Sequence, residues 1–392
     1  MRRNRLPQGG LNVFQTVRQK RAEALAEGLA LIDLSIGEPK GPALQSARVA
    51  ASEAIMSDAE AIHAYQYNAS PGVPDFARKF VLGHLAEDLG DESLAYLPIP
   101  GIKPMLGLLP LACGCATTEL TVATMTRPGY PIPADWCAYH PLVEHRALAL
   151  TVDNEFRFDP QDIRDSDLVL MNYPHNPSGQ VADEQWLHGV CAYCVDNDVR
   201  LFNDAAYICL SHTRHSASLA EVAVHYPELS WCEAFTAAKL IGNGTGWHVG
   251  AMVGSPDFIA DLAEVKGKTD TGHVAAMAAG ALSCLEEDKD GIEALRVVYQ
   301  DRLALLSDIL VSAGMRLALA PVAGFYTLWQ TPTRAFGQSI SSAAEFNFAM
   351  IERTGVVGVH FGDFVRYAVC GDIAAVASSL SEAFASADVG YD

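Results

Sequence analysis

The chain has 392 residues, half of them hydrophobic, with 27 basic against 47 acidic side chains and a formal charge of -20. That length exceeds what a single core serves and predicts about two domains, while the apolar fraction excludes a disordered chain. The acidity argues against nucleic acid as a partner, because phosphates would be repelled.

Met1-Arg2-Arg3-Asn4-Arg5 leads into polar sequence instead of a signal-peptide core. No uninterrupted apolar run approaches the roughly 20 residues of a bilayer span, so a soluble cytoplasmic protein with no membrane partner is expected. The spacing of Val13, Phe14, Val17, Ala22 and Leu25 predicts a helix over 13–28, followed by a short strand over 30–34. Ser35-Ile36-Gly37-Glu38-Pro39 is a turn, helical patterns cover 44–56 and 73–85, and the Tyr65 to Gly72 stretch between them is loop chemistry. Strand candidates then fall at 97–99, 120–125, 148–152, 168–172, 199–203, 234–236 and 249–253, with helices at 104–113, 183–195 and 256–265. This alternation predicts an α/β fold: a mostly parallel seven-stranded sheet covered on both faces, with ligands beyond the strand carboxyl ends.

After about residue 271 the pattern changes. Helices are expected at 274–285, 292–313, 343–353 and 373–385, with strands at 316–319, 324–330 and 365–369. The predicted organisation is an N-terminal arm forming part of a small domain (1–40), a large domain (41–270) and a smaller α+β domain (271–392). The nine cysteines are scattered as in reduced proteins. Cys191 and Cys194 have metal-ligand spacing but sit in a helical pattern with no second pair downstream, so they read as small core residues and no metal is expected.

Several segments carry chemistry. Thr236-Ala237-Ala238-Lys239, running into Gly242, Gly244 and Gly246-Trp247-His248-Val249-Gly250, offers an unhindered amine beside backbone open to an anion. Asn172-Tyr173-Pro174-His175-Asn176-Pro177-Ser178-Gly179 ends one strand in a turn that is common as mere structure. Leu201-Phe202-Asn203-Asp204-Ala205-Ala206-Tyr207 ends the next strand with an acid and then a phenol. Alone, Asp204 reads as a cap or turn former, but paired with an amine it can hold a pyridine nitrogen protonated. Arg366 lies among apolar neighbours, suited either to a structural salt bridge or to a carboxylate ligand.

Asn-Pro-Ser-Gly, Asp-x-x-Tyr, Thr-x-x-Lys and Gly-Trp-x-Val-Gly, in this order, resemble the class I/II aminotransferases, fold-type-I pyridoxal-phosphate enzymes. The resemblance spans about 33–369 and includes Gly37, Tyr67 and Pro128-Gly129-Tyr130-Pro131. Leu34-Ser35-Ile36-Gly37-Glu38-Pro39-Lys40 and Ala323-Gly324-Phe325-Tyr326 are similar to the branch containing succinyl- and acyl-diaminopimelate aminotransferases.

The resemblance implies that Lys239 bonds the pyridoxal phosphate aldehyde and then moves a proton as general base and acid. It implies that Asp204 pairs with the pyridine nitrogen, that Tyr207 and Asn176 bond the ring oxygen, and that Tyr130 stacks on the ring. Gly101, Ile102 and Lys103 then read as a phosphate cradle at a helix start, with Thr236 adding a hydroxyl. The segment alone would be an ordinary glycine turn. Tyr67 is expected to reach the phosphate of a second subunit in a homodimer with shared active sites, and Arg366 and Gly37 to hold the substrate α-carboxylate.

One departure stands out. His248 occupies the place where the family usually has arginine, so the phosphate is expected to be held less tightly, with Lys103, Lys266 or Lys268 supplying part of the missing charge. The implied reaction is amino transfer between an amino acid, glutamate as one partner, and a 2-oxo acid, in diaminopimelate or lysine biosynthesis. β-Elimination or decarboxylation on the same scaffold, and a non-catalytic ligand-binding paralogue, are the alternatives.

Overall fold

The computed structural model of the chain describes residues 13–86, 88–90 and 93–391. Met1 to Arg5 and the rest of the first twelve residues of the expected N-terminal arm lie outside the described residues. The central feature is a seven-stranded sheet. In spatial order its strands are Ala95–Ile99, Gly250–Gly254, Trp231–Thr236, Arg200–Asp204, Leu168–Met171, Leu120–Arg127 and Val143–Ala149. Gly250–Gly254 runs antiparallel to both neighbours, and the remaining pairings are parallel. The predicted mostly parallel sheet is thus present.

Burial explains why the middle strands were easy to read. Every residue of Leu168–Met171, Trp231–Thr236 and Gly250–Gly254 is buried, giving continuous apolar runs between two helical layers. The edge strand differs. It was expected at 148–152 but occupies Val143–Ala149, where Val122 and Ala123 pair with His145 and Arg146. An edge strand half open to solvent carries polar residues, whereas the apolar Leu148 and Leu150 that suggested the later range are at and beyond its end. The helix expected over 104–113 is two short ones, Ile102–Leu106 and Leu109–Ala112. Pro110 has no N–H to bond four residues back, so the first helix ends and a second begins around it.

The smaller layer centres on an antiparallel sheet of Val359–Phe361, Phe364–Ala368 and Tyr326–Gln330. The strand predicted at 316–319 reduces to a single bridge between Leu317 and Trp329. Helix Lys289–Ser312 buries Tyr299, Leu303, Leu306 and Leu310 on one stripe against this unit. Helix Ala275–Glu287, predicted at the start of the small domain, packs instead with the large sheet's core. A Cβ on its Gly280 would meet the Ala47 carbonyl at 2.4 Å and Ala51 Cβ at 2.8 Å, so small residues let it seat directly on helix Gln45–Ile55.

The N-terminal segment joins the C-terminal unit. Ile32–Asp33 pairs in parallel with Val356–Val357. Leu34 N–H then donates to Val357 O at 2.9 Å, and Ala368 N–H to Leu34 O at 2.7 Å. Gly37 is thereby delivered to the mouth of the large sheet. Cys191 and Cys194 are both buried on helix Glu184–Asp196, where burial raises their thiol pKa values, Cys191 to about 12.

Candidate active site

A cavity of about 400 Å³ opens at the carboxyl ends of the large sheet's parallel strands, against the small unit. Every candidate residue except Tyr67 lines it: Lys239, Asp204, Tyr207, Asn176, Thr236, Tyr130, Gly101, Ile102, Lys103, His248, Gly37 and Arg366. Tyr67 has a positive φ of 44° and lies 56% exposed, away from this chain's own cavity.

Lys239 stands on the one-turn helix Ala237–Leu240, directly after a central strand. Thr236 caps that helix, its Oγ1 accepting from Ala238 N at 3.2 Å. Lys239 Nζ donates to Gly37 O at 3.4 Å and stands 5.8 Å from the Phe325 ring centre. Burial lowers the lysine pKa, opposed by nearby groups including Glu38 and Asp204. The amine is therefore easier to deprotonate than a surface lysine.

Asp204 ends the strand beside it. Burial lifts its carboxyl pKa to about 6, against the pull of the Ala206 N–H at 3.1 Å and the Lys239 charge. A buried acid at this pitch gains most from a fixed cation or a protonated ring nitrogen laid against it. Asn172, whose role no sequence motif indicates, ties the two strand ends together. Its Nδ2 donates to Asp204 O at 2.9 Å and its Oδ1 accepts from Asn176 N at 3.0 Å.

A second support lies deeper. Asn203 brackets Tyr173, accepting from its N–H at 2.9 Å and donating to its carbonyl at 3.1 Å. The same side chain donates to the fully buried Glu233 at 2.7 Å. Glu233 also accepts from Ser218 Oγ, Leu219 N at 3.1 Å and Ala220 N at 2.8 Å, donors that oppose the upward pull of burial on its pKa. An asparagine and a glutamate inside otherwise apolar strands were the available signal, and it was missed.

At the far end, Arg366 is 1% exposed. Its Nη1 donates to Asn176 Oδ1 at 2.9 Å and its Nη2 to Ser35 O at 2.7 Å, while Tyr326 covers the guanidinium at 4.2 Å. Nε is buried without a hydrogen-bond partner. Phe14 also lines the cavity, with the Arg366 guanidinium 5.8 Å from its ring centre. Tyr207 is buried, with its hydroxyl 3.1 Å from that of Tyr326, and burial puts its pKa well above the ordinary phenol value.

At another wall, Gly101 takes φ +86° and caps the start of helix Ile102–Leu106, whose first N–H groups have no partner within the helix. Lys103 is exposed at the cavity wall. His248 is exposed, at φ 54°, on the rim. The other two proposed sources of charge are elsewhere. Lys266 is buried and bound to Asp270 at 2.8 Å, and Lys268 pairs with Glu264 at 3.0 Å on the surface. Neither lines the cavity, so of the three only Lys103 does.

The donor set fits pyridoxal phosphate: a softened amine, a buried acid on the same floor, N–H groups with a lysine at one wall, and a buried arginine with an unused donor at the other. The model for aminotransferase class I and II matches residues 30–377, and the chain belongs to that family. It is an aminotransferase, and its family is one of pyridoxal-phosphate enzymes. Among named relatives, the LL-diaminopimelate aminotransferase of Syntrophobacter fumaroxidans is 28% identical, the match covering 92% of each chain. That of Methanocaldococcus jannaschii is 28% identical over 91% of this chain and 85% of its own. In fold, the chain resembles the aspartate aminotransferase of Rhizobium meliloti, with TM-score 0.83 and 19% identity over 99% and 98% of the two chains. It also resembles a probable N-succinyldiaminopimelate aminotransferase of Thermus thermophilus, with TM-score 0.80 and 23% identity over 95% and 100%.

Proposed function

We propose that the chain is a pyridoxal-phosphate aminotransferase of the diaminopimelate class, exchanging an amino group between glutamate and a 2-oxo acid. The observation that carries this reading is one cavity with Lys239 and Asp204 on its floor and Arg366 buried at its far wall. The relatives' names support the substrate class. Arg366 is the one arginine among the described residues lining the cavity. A second carboxylate on the substrate therefore meets no arginine of this chain there.

When bound, the cofactor supplies an aldehyde and an electron-withdrawing ring. Lys239 would hold the aldehyde carbon through Nζ and, once displaced, take the proton from the substrate Cα and return it, on the same face, to the carbon that the aldehyde supplies. Burial lowers the basicity of Nζ, so the neutral amine needed for that step is more available than on an exposed lysine. Asp204 would hold a proton on the ring nitrogen, Tyr207 would donate to the ring oxygen, and Tyr130 would pack on the ring. The N–H groups after Gly101, with Lys103, Thr236 and His248, would take the phosphate. Arg366 would fork onto the substrate carboxylate, oriented by Asn176 and Ser35.

The protein is further read as a cytoplasmic homodimer. All nine cysteines are free thiols, which suits a reducing compartment, and no helix among the described residues is long and apolar enough to cross a membrane. Tyr65 and Tyr67 stand 66% and 56% exposed on one loop, as residues awaiting a second subunit would.

Borohydride reduction of the cofactor-loaded protein followed by peptide mapping tests the assignment. The label is expected on the peptide containing Lys239, and a label on any other lysine overturns it. Incubation with LL-diaminopimelate and 2-oxoglutarate should then yield glutamate.

A further inference from the structure

Tyr326 belongs to the short Ala323-Gly324-Phe325-Tyr326 segment and touches both halves of the cavity. Its ring lies 4.2 Å from the Arg366 guanidinium carbon, within cation–π range, and its hydroxyl sits 3.1 Å from the Tyr207 hydroxyl. Both tyrosines are buried. The hydroxyl also fills the space where residue 37 would carry a side chain, since a Cβ on Gly37 would lie 1.7 Å from Tyr326 Oη and 2.7 Å from Cζ. Three elements distant in sequence therefore fix one phenol: the N-terminal turn at Gly37, the post-strand turn at Tyr207 and the small-sheet strand bearing Arg366.

We propose that Tyr326 is a positioning residue for amino transfer: its ring steadies Arg366 for the substrate carboxylate, and its hydroxyl sets the orientation of the Tyr207 hydroxyl. The inference rests on the aminotransferase reading given above and adds a residue to it. A phenol has one proton to give. If Tyr207 gives its proton to the cofactor ring oxygen, the hydrogen bond between the two tyrosines must be donated by Tyr326. Tyr207 then accepts from Tyr326 while it donates onward, and a chain of this kind strengthens each of its members. Arg366, Asp204, Cys370 and Tyr130 are the charged or titratable neighbours that face the pair.

The two functions reside on different atoms, so two substitutions separate them. Tyr326→Phe keeps the ring and removes the hydroxyl, whereas Tyr326→Leu removes both. In the loaded Tyr326→Phe protein, the pH midpoint of the cofactor absorption band is expected to rise by about half a unit, because a weaker bond to the ring oxygen less favours the deprotonated form of the nitrogen that Lys239 contributes. Its kcat should fall by about fivefold, with KM for the amino donor within about twofold of wild type. Tyr326→Leu should show the same midpoint and raise KM by about tenfold as well.

A Phe variant with the wild-type midpoint and kcat overturns the inference, as does one whose KM rises as far as that of the Leu variant. The band itself reports that the Phe variant is folded and loaded. Wild-type protein that forms no band with added pyridoxal phosphate would instead sink the underlying assignment of function, which keeps the two failures apart.

Discussion

Arg366 Nη1 donates to Asn176 Oδ1 at 2.9 Å, joining a strand of the small sheet to the turn that follows a strand of the large one. The same guanidinium reaches Ser35 O at 2.7 Å, so the proposed carboxylate clamp is aligned before substrate arrives. Lysine at this position keeps a charge but loses the fork. Arg366→Lys is expected to lower kcat/KM for the amino donor by about a hundredfold, mainly through KM, and steady-state kinetics will read it. Asn176→Ala leaves the guanidinium one partner short and should cost about tenfold.

Asp204 gives the cofactor-free protein a distinct pH dependence. Its folded pKa, lifted by burial to about 6 from the usual 3.8, means that the folded state holds the proton more tightly than the unfolded chain. The associated stability is full below about pH 4 and is lost as pH rises through about 6, with an upper value of about 3 kcal/mol. Asp204→Asn should flatten this loss between about pH 4 and 6. Chemical denaturation of both cofactor-free proteins across that range provides the check, and parallel curves would refute the assignment.

His248 is exposed on the cavity rim with a left-handed backbone. Arginine there would add a permanent charge beside the proposed phosphate cradle, although non-glycine residues pay a steric penalty at positive φ. His248→Arg is expected to tighten pyridoxal phosphate binding by about threefold to tenfold at neutral pH. Equilibrium dialysis measures it. Equal dissociation constants for the two proteins would show that the position does not serve phosphate.

Tyr67 lines no part of its own chain's cavity, so a shared site makes a mixing experiment decisive. Tyr67→Ala and Lys239→Ala proteins should each be nearly inactive alone. Unfolded and refolded together in equal amounts, they should recover about a quarter of wild-type activity, because half the dimers are mixed and each mixed dimer holds one intact site. No recovery would count against a site built from two subunits.

Much of this arrangement was legible because amino transfer needs particular side chains at strand ends. Lys239, Asp204 and Asn176 each follow a buried apolar run, and such runs read clearly. What stayed hidden depends on contacts between distant residues. Nothing near Gly37 indicates that a phenol from residue 326 occupies its Cβ position, and two polar residues inside apolar strands, Asn203 and Glu233, do not by themselves show that they pair. The edge strand Val143–Ala149 was misplaced because half of it faces water. Helix Ala275–Glu287 was assigned to the wrong layer because alanine and glycine carry no directional pattern, and its place is set by how closely it can approach Ala47 and Ala51.

The pairing of Ile32–Asp33 with Val356–Val357 has a bearing on how the molecule is made. A nascent chain emerges from its N-terminus, so the segment that carries Gly37 waits, unpaired, until more than three hundred further residues have been translated. The seven-stranded layer can assemble in the meantime, while Ile32–Asp33 still lacks its partner strand. Synthesis itself thus postpones this pairing until Val356–Val357 has left the ribosome.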